Sequence, residues 1–98
     1  MRIVQHPAFG KWLLTLRDAR ARGRIIERVH RLSHGLWGDV KPVGEGVSEL
    51  RIDYGKGYRL YAKRKGDALV ILLCGGHKIG QQRDIRLAKR LAKELEDI

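Results

Sequence analysis

The run Leu69-Val-Ile-Leu-Leu-Cys74 is the strongest constraint on how this chain can fold. It is apolar without alternation, and it is punctuated by Gly66-Asp67 before it and Gly75-Gly76 after it. That length suits a strand and falls far short of the roughly 20 apolar residues of a membrane-spanning helix. A strand with no polar face must be covered on both sides, which places it centrally in a sheet. The preceding sequence supplies its neighbours. Val47 to Tyr54 alternates, with Leu50, Ile52 and Tyr54 on one face and Val47, Glu49, Arg51 and Asp53 on the other. Gly55-Lys56-Gly57 signals a turn. Tyr58 to Lys63 then sends Tyr58, Leu60 and Ala62 one way and Arg59, Tyr61 and Lys63 the other. Three consecutive antiparallel strands result.

Outside this segment the apolar period is helical. After Met1 to Val4, a short edge strand, Pro7 opens a helix whose Phe9, Trp12, Leu13 and Leu16 recur on one face. Asp18 is placed to cap a second helix running to about Ser33. Its apolar face is Ala19, Ile25, Ile26, Val29 and Leu32, and its basic face is Arg20, Arg22, Arg24, Arg28 and Arg31. Gly35 stands where such a helix stops. Ile85, Ala88, Leu91, Ala92 and Leu95 describe a terminal amphipathic helix. The fold class expected is α+β: a short N-terminal strand and a helical hairpin packed on one face of a twisted antiparallel sheet, with a C-terminal helix. The opposite, polar sheet face is expected to stay open. At 98 residues the whole chain, 1–98, reads as a single domain.

Charge narrows the partners. Lys and Arg total 21 against 11 Asp and Glu, a formal net charge of +10. A compact domain tolerates such self-repulsion when it meets a polyanion, and nucleic acid is the commonest one. A basic surface with no polyanion is the plainer alternative. A membrane partner is not expected. The single cysteine, Cys74, sits within the apolar run and permits no internal disulfide. With no apolar leader at the N-terminus, this points to the cytoplasm.

The open sheet face gathers the candidate chemistry. Arg51 from one strand and Arg59 and Lys63 from the next lie at cross-strand distances that suit one or two phosphates. Tyr61 on the same face is placed to stack on a base. Lys78 follows Gly75-Gly76, where glycines permit close backbone approach and a helix is about to begin. His30 and His34 at i, i+4, and Cys74 with His77, have zinc-type donors. They lack acidic support, and no metal or other cofactor is expected. Gly44-x-Gly46 and Gly55-x-Gly57 read as turns.

The string Gly46-Val-Ser-Glu-Leu-Arg-Ile-Asp-Tyr-Gly-Lys-Gly-Tyr-Arg-Leu-Tyr61 resembles the RelE/ParE superfamily of type II toxins, nearest its HigB-like branch, the addiction module killer proteins. Phe9-x-x-Trp12-Leu13-x-x-Leu16-x-Asp18, Arg24-Ile25 through Arg31-Leu32, Gly35, Gly38-Asp39-Val-Lys41, Leu72-Leu-Cys-Gly-Gly76, Lys78, Gln81 and Asp84-Ile85 extend the resemblance over nearly the whole chain. It implies a toxin neutralised by a co-expressed antitoxin, commonly a helix-turn-helix DNA-binding protein, with operator DNA reached only through that antitoxin. It also implies metal-independent cleavage of mRNA, associated with the ribosome, by attack of a 2′-hydroxyl on the adjacent phosphodiester.

On the resemblance, Arg59 matches the arginine that holds the scissile phosphate, Arg51 a basic position on the preceding strand, and Lys78 a basic position after the last strand. Arg51, Arg59, Lys78 and Asp84 are the expected catalytic set. Lys41, Tyr61, Lys63, His77 and Gln81 are the expected RNA contacts. The chain departs from the RelE pattern at Asp84, where a tyrosine stands, and at Glu49, where a lysine stands. His77 replaces an acidic residue, and its imidazole competes with Lys78 and Asp84 for proton transfer. Relatives of the ParE type share the fold and poison DNA gyrase. Gyrase poisoning and a non-catalytic module that binds nucleic acid or antitoxin are therefore the alternatives.

Overall fold

A computed structural model describes residues 1–96. β1 (Arg2–Gln5) leads into α1 (Pro7–Thr15) and α2 (Ala19–Ser33). β2 (Val40–Gly44), β3 (Val47–Ile52), β4 (Tyr58–Lys65) and β5 (Leu69–His77) follow, and α3 (Gln81–Glu96) ends the described chain. The sheet order is β1-β5-β4-β3-β2.

Local chemistry sets the helix limits. Pro7 stands in the first turn of α1, where its missing N–H costs nothing, and His6 Nδ1 accepts from the Ala8 N–H at 3.0 Å. Asp18 caps α2, its Oδ1 accepting from the N–H groups of Arg20 at 2.9 Å and Ala21 at 3.2 Å. The Ala21 hydrogen bond is the main cause that holds the Asp18 carboxyl below its ordinary range. At the far end Gly35, at φ +80°, and Leu36 donate back to Leu32 and Arg31.

β5 is an interior strand between β1 and β4, and the sheet is covered on both faces. On one side Phe9, Ala21, Ile25 and Leu32 pack against Leu50, Ile52, Leu60, Val70 and Leu72. On the other, Ala88, Leu91 and Ala92 of α3 pack against Val47, Tyr61, Ile71, Leu73 and Cys74. The expectation of an open second face is corrected here: α3 has an apolar stripe to bury, and β5 is apolar on that side too. Only the end of this face that carries Arg51 and Arg59 stays clear of the helix.

Two further differences concern the edges. β1 pairs with β5 in parallel, Ile3 opposite Val70 and Val4 opposite Ile71, so the sheet is mixed. β2 was not legible as a strand. It holds Pro42 and Gly44, has a bulge between them, and pairs only with β3 at the sheet edge, where proline is tolerated.

Arg28 is also corrected. The sequence pattern puts it on the basic face of α2, and it is instead buried. Its Nε and Nη2 donate to the Trp37 carbonyl at 3.2 and 2.9 Å, Nη2 to the Asp39 carbonyl at 2.7 Å, and Nη1 to the Arg51 carbonyl at 2.6 Å. Gly38, at φ +68°, lies where a Cβ would come within 2.8 Å of that guanidinium.

A bulge in β5 turns the Gly75-Gly76 pair to its task. Tyr61 faces Cys74 and Ala62 faces Leu72, so Leu73 is the extra residue and joins Cys74 on the α3 side. A Cβ on Gly75 would stand 2.3 Å from the Trp12 ring, and one on Gly76 would stand 2.0 Å from Asp84 Oδ2. The strand is thus pinched between α1 and α3 where the candidate site begins. Gly75→Ala is expected to destabilise the protein by about 1–3 kcal/mol, because the indole is packed and must shift. Gly76→Ala should cost less, since the carboxylate can rotate away. Urea unfolding of the two variants tests that order.

Candidate functional site

The site is built on neighbouring rungs of β3 and β4. Arg51 lies directly opposite Arg59, and Glu49 opposite Tyr61. Two guanidinium groups brought so close repel each other, and a carboxylate separates them. Glu49 is 0% exposed. Its Oε1 lies 3.4 Å from Arg51 Nε and 3.8 Å from Arg59 Nε. Its Oε2 accepts from Gln81 Nε2 at 2.7 Å and from the Tyr61 hydroxyl at 3.2 Å. Oε1 and both Nε groups are buried without a hydrogen bond, so charge alone joins them. Burial, reinforced by Glu49, pushes the Tyr61 hydroxyl well above the ordinary phenol range, which keeps it a donor.

The two arginines open onto a cleft of about 370 Å³ lined also by Asp39, Asp53, Lys56, Gly57 and Lys78. The Arg59 side chain is 13% exposed and extends toward the Gly57 turn; a Cβ there would stand 3.7 Å from its Nη1. Lys78 is fixed at the backbone, its N–H donating to the Gly57 carbonyl at 2.9 Å. A second cleft, of about 530 Å³, lies across the Gly55–Lys56 turn and is lined by Trp12, Tyr58, His77, Arg83 and Asp84 among others. Asp84 is 9% exposed. Burial raises its carboxyl above the ordinary range, and Arg83 and His77 oppose that shift without cancelling it.

The structure therefore brings Arg51, Arg59 and Lys78 to one cleft and puts Asp84 and His77 in the next. Tyr61 is not available to stack on a base: its ring is wholly buried under α3. Lys63 is ion-paired with Glu96. Gln81 holds Glu49 from the first turn of α3. Lys41 is exposed on β2, opposite Glu49 in register, and does not line the cleft. Glu49 is the residue that sequence reasoning passed over. The alternation had placed it on the face of Arg51, and a lone acid among strand cations was the available signal. Of the zinc-type donors, His30 and His34 meet edge to face at 4.9 Å between ring centres. Cys74 is buried, its thiol pushed up to about 12 by burial and by Asp84. No group of three metal-ligating side chains converges among the described residues.

Similarity to other proteins gives this geometry a context. No protein-family profile matches the chain. An uncharacterized protein of Haemophilus influenzae (strain ATCC 51907 / DSM 11121 / KW20 / Rd) is 52% identical over 87 residues, which is 89% of this chain and 88% of that protein. The chain belongs to that protein's family. A chain of the crystal structure of the toxin–antitoxin complex RelBE2 from Mycobacterium tuberculosis superposes with a TM-score of 0.63 at 21% identity. The match covers 78% of this chain and 95% of that one. The protein has the RelE-like α+β fold. No helix of the described residues is long and apolar enough to cross a membrane.

Two outcomes follow from the electrostatics. Glu49→Gln keeps the shape but leaves Arg51 and Arg59 facing each other unscreened. It should destabilise by about 3 kcal/mol, the low end for a broken buried pair because Arg51 is partly solvated. Arg51→Gln added to it should restore part of that loss in urea unfolding. Asp84 supplies the second. Its folded-state pKa lies above the unfolded one, so the folded form binds the proton more tightly. The charged carboxylate therefore penalises folding above the folded pKa, and the penalty is relieved as pH falls through that value toward the unfolded one. Asp84→Asn is expected to be the more stable protein at about pH 7, with its advantage shrinking toward about pH 4. Thermal unfolding across that range decides it.

Proposed function

We propose that the protein is the single-domain toxin of a type II toxin–antitoxin pair in the RelE/ParE superfamily, and that it cuts mRNA without a metal. The observation that carries this reading is the Arg51–Arg59 pair, held by a buried carboxylate and opening beside Lys78. The fold it shares with a chain of the RelBE2 toxin–antitoxin complex supports it. The resemblance of the Gly46–Tyr61 string places the chain nearest the HigB-like branch and implies a helix-turn-helix antitoxin, a ribosome-associated substrate and a cytoplasmic setting.

In the proposed reaction the 2′-oxygen of a ribose attacks the neighbouring phosphorus as its proton leaves. The bond from phosphorus to the 5′-oxygen of the next nucleotide then breaks, and that oxygen takes up a proton. The products are a 2′,3′-cyclic phosphate and a 5′-hydroxyl. Charge accumulates on the non-bridging oxygens at the phosphorane, and fixed cations aimed there lower the barrier. Arg59, mostly enclosed and braced by Glu49, is assigned to those oxygens. Arg51, more exposed, is assigned to an adjoining phosphate. A guanidinium keeps its charge and offers a planar fork to phosphate. Lys78 lines the same cleft and is assigned to proton transfer.

Induction of the gene without its antitoxin is expected to halt translation and to yield transcripts with new 5′-hydroxyl ends. Arg59→Ala should slow cleavage by about 10²–10³-fold, the range for losing one preorganised donor. Lys78→Ala should slow it by about 10²–10⁴-fold, the range for losing a general acid or base. Mapping of mRNA 5′ ends after induction checks all three. Full toxicity of both variants, or intact transcripts with a DNA-damage response, would sink the reading.

A further inference from the structure

The reaction above leaves Gln81 without a role. The sequence pattern offers it as an RNA contact, yet its amide nitrogen is committed inside the protein, donating to Glu49 Oε2 at 2.7 Å. The setting of Glu49 matters. Its Oε1 stands 3.4 Å from Arg51 Nε and 3.8 Å from Arg59 Nε, with no hydrogen bond to fix it there. The side chain itself does not fix it either, because the last torsion of a glutamate is broad. The donors on Oε2 therefore decide where Oε1 lies. Among the described residues two do so. The Tyr61 hydroxyl reaches Oε2 at 3.2 Å, long for an O–H donor, whereas the Gln81 contact of 2.7 Å is short, as a bond to an ionised acceptor is. Tyr61 belongs to the same sheet as the arginines, and Gln81 comes from outside it. The Gly80 carbonyl accepts from the Asp84 N–H at 3.0 Å, which puts Gln81 in the first turn of α3. The far end of that helix is tied to β4 by the pairing of Glu96 with Lys63.

We infer that Gln81 is a positioning residue for the proposed cleavage: it sets the Glu49 carboxylate, and through it Arg51 and Arg59, for the phosphate. The inference rests on the proposed function, and it adds that the site is complete only with α3 in place. The residue type suits the task. A glutamine amide donates and carries no charge, so it holds Glu49 without competing for it against the two guanidinium groups. A lysine there would donate and compete. An ionised glutamate would only accept, and it would repel Glu49. The charged and titratable groups that face Glu49 are Arg51 on β3, Arg59 and Tyr61 on β4, and Lys41, opposite it in register on β2. From α3, among the described residues, the neutral Gln81 alone bonds to it. The helix therefore adds geometry to the cluster and leaves its charge alone.

The test compares the full chain with Q81M and Q81E, and with Q82M as a control at the exposed neighbour. Q81M keeps the shape and removes the donor. Single-turnover cleavage of ribosome-bound mRNA is expected to slow by about 10–10²-fold at saturation, with the half-saturating concentration within about twofold, which marks misplacement and not lost binding. Q82M should match the wild type. Q81E adds a pH signature. Two carboxylates in one site hold a single proton between them. While that proton stays, the new carboxyl donates to Glu49 as the amide did. As pH rises the proton leaves, and the two repel. The rate of Q81E relative to the wild type should therefore fall with rising pH, and that of Q81M should stay flat. A wild-type rate in Q81M overturns the inference, as does a flat Q81E ratio. A loss confined to half-saturation overturns it too, since Gln81 is then an RNA contact. Should Q81M fail to fold, the Q81E profile decides. The Nε–H resonances of Arg51 and Arg59 report the same contact without RNA. They should move in Q81M and not in Q82M. Unmoved signals remove the positioning alone, and moved signals in a chain that cuts nothing remove the nuclease alone.

Discussion

Everything in the candidate site depends on one buried carboxylate. Arg51 and Arg59 are placed opposite each other by the register of β3 and β4, and that register is fixed by the apolar residues on the other face of the same strands. A one-residue slip would turn the core outward. The strands thus impose a clash of like charges, and Glu49 resolves it from within the sheet. Its second oxygen is held by Gln81 and by the Tyr61 hydroxyl, so α3 and β4 both fix its position. A buried carboxylate is costly unless it is paired. Here that cost has a return in geometry: one carboxylate oxygen holds both Nε groups within 3.8 Å of itself beside the cleft.

The frame around this cluster is made of close contacts and not of long-range bulk. Arg28 gathers the carbonyls of Trp37, Asp39 and Arg51, which ties α2 to the start of β2 and to the end of β3. The backbone of a site residue is thereby anchored from the helical side. The Gly75-Gly76 pair lets Trp12 and Asp84 approach the same strand from opposite faces. One glycine serves packing, and the other admits a carboxylate. Both line the larger cleft, whose geometry depends on a strand too narrow to carry a side chain there.

Much of this was legible in the sequence, and the exceptions have physical reasons. The apolar run announced β5, the alternation gave β3 and β4 with correct faces, and Asp18 and Gly35 marked the ends of α2. The cluster of Arg51, Arg59 and Lys78 could be assembled because cross-strand distance follows from alternation. β2 was missed because an edge strand needs only backbone pairing, which leaves no periodic trace. Tyr61 was read as open because its strand neighbours are cations; whether a distant helix covers such a residue is not a local property. Arg28 was misplaced as well. On a helical wheel it falls with Ala21, Ile25 and Leu32, apart from Arg24 and Arg31; its charge hid that position, and the carbonyls that make its burial tolerable lie many residues away. The same holds for Glu49, whose importance comes from partners on three elements.

The net charge of +10 also takes on a different meaning once its parts are located. Arg22 donates to the Leu16 carbonyl, Arg24 lies over the Tyr54 ring at 4.6 Å, and Arg28 is internal. Much of the basic face of α2 therefore serves the fold. At the cleft, Arg51, Lys56, Arg59 and Lys78 face Asp39, Asp53 and the buried Glu49. A phosphodiester carries one negative charge and a phosphorane dianion two, so cations aimed at the phosphorus gain more in the transition state than in the ground state. In the proposed reaction Glu49 thus acts on chemistry without touching the substrate: it keeps the two guanidinium groups close enough to converge.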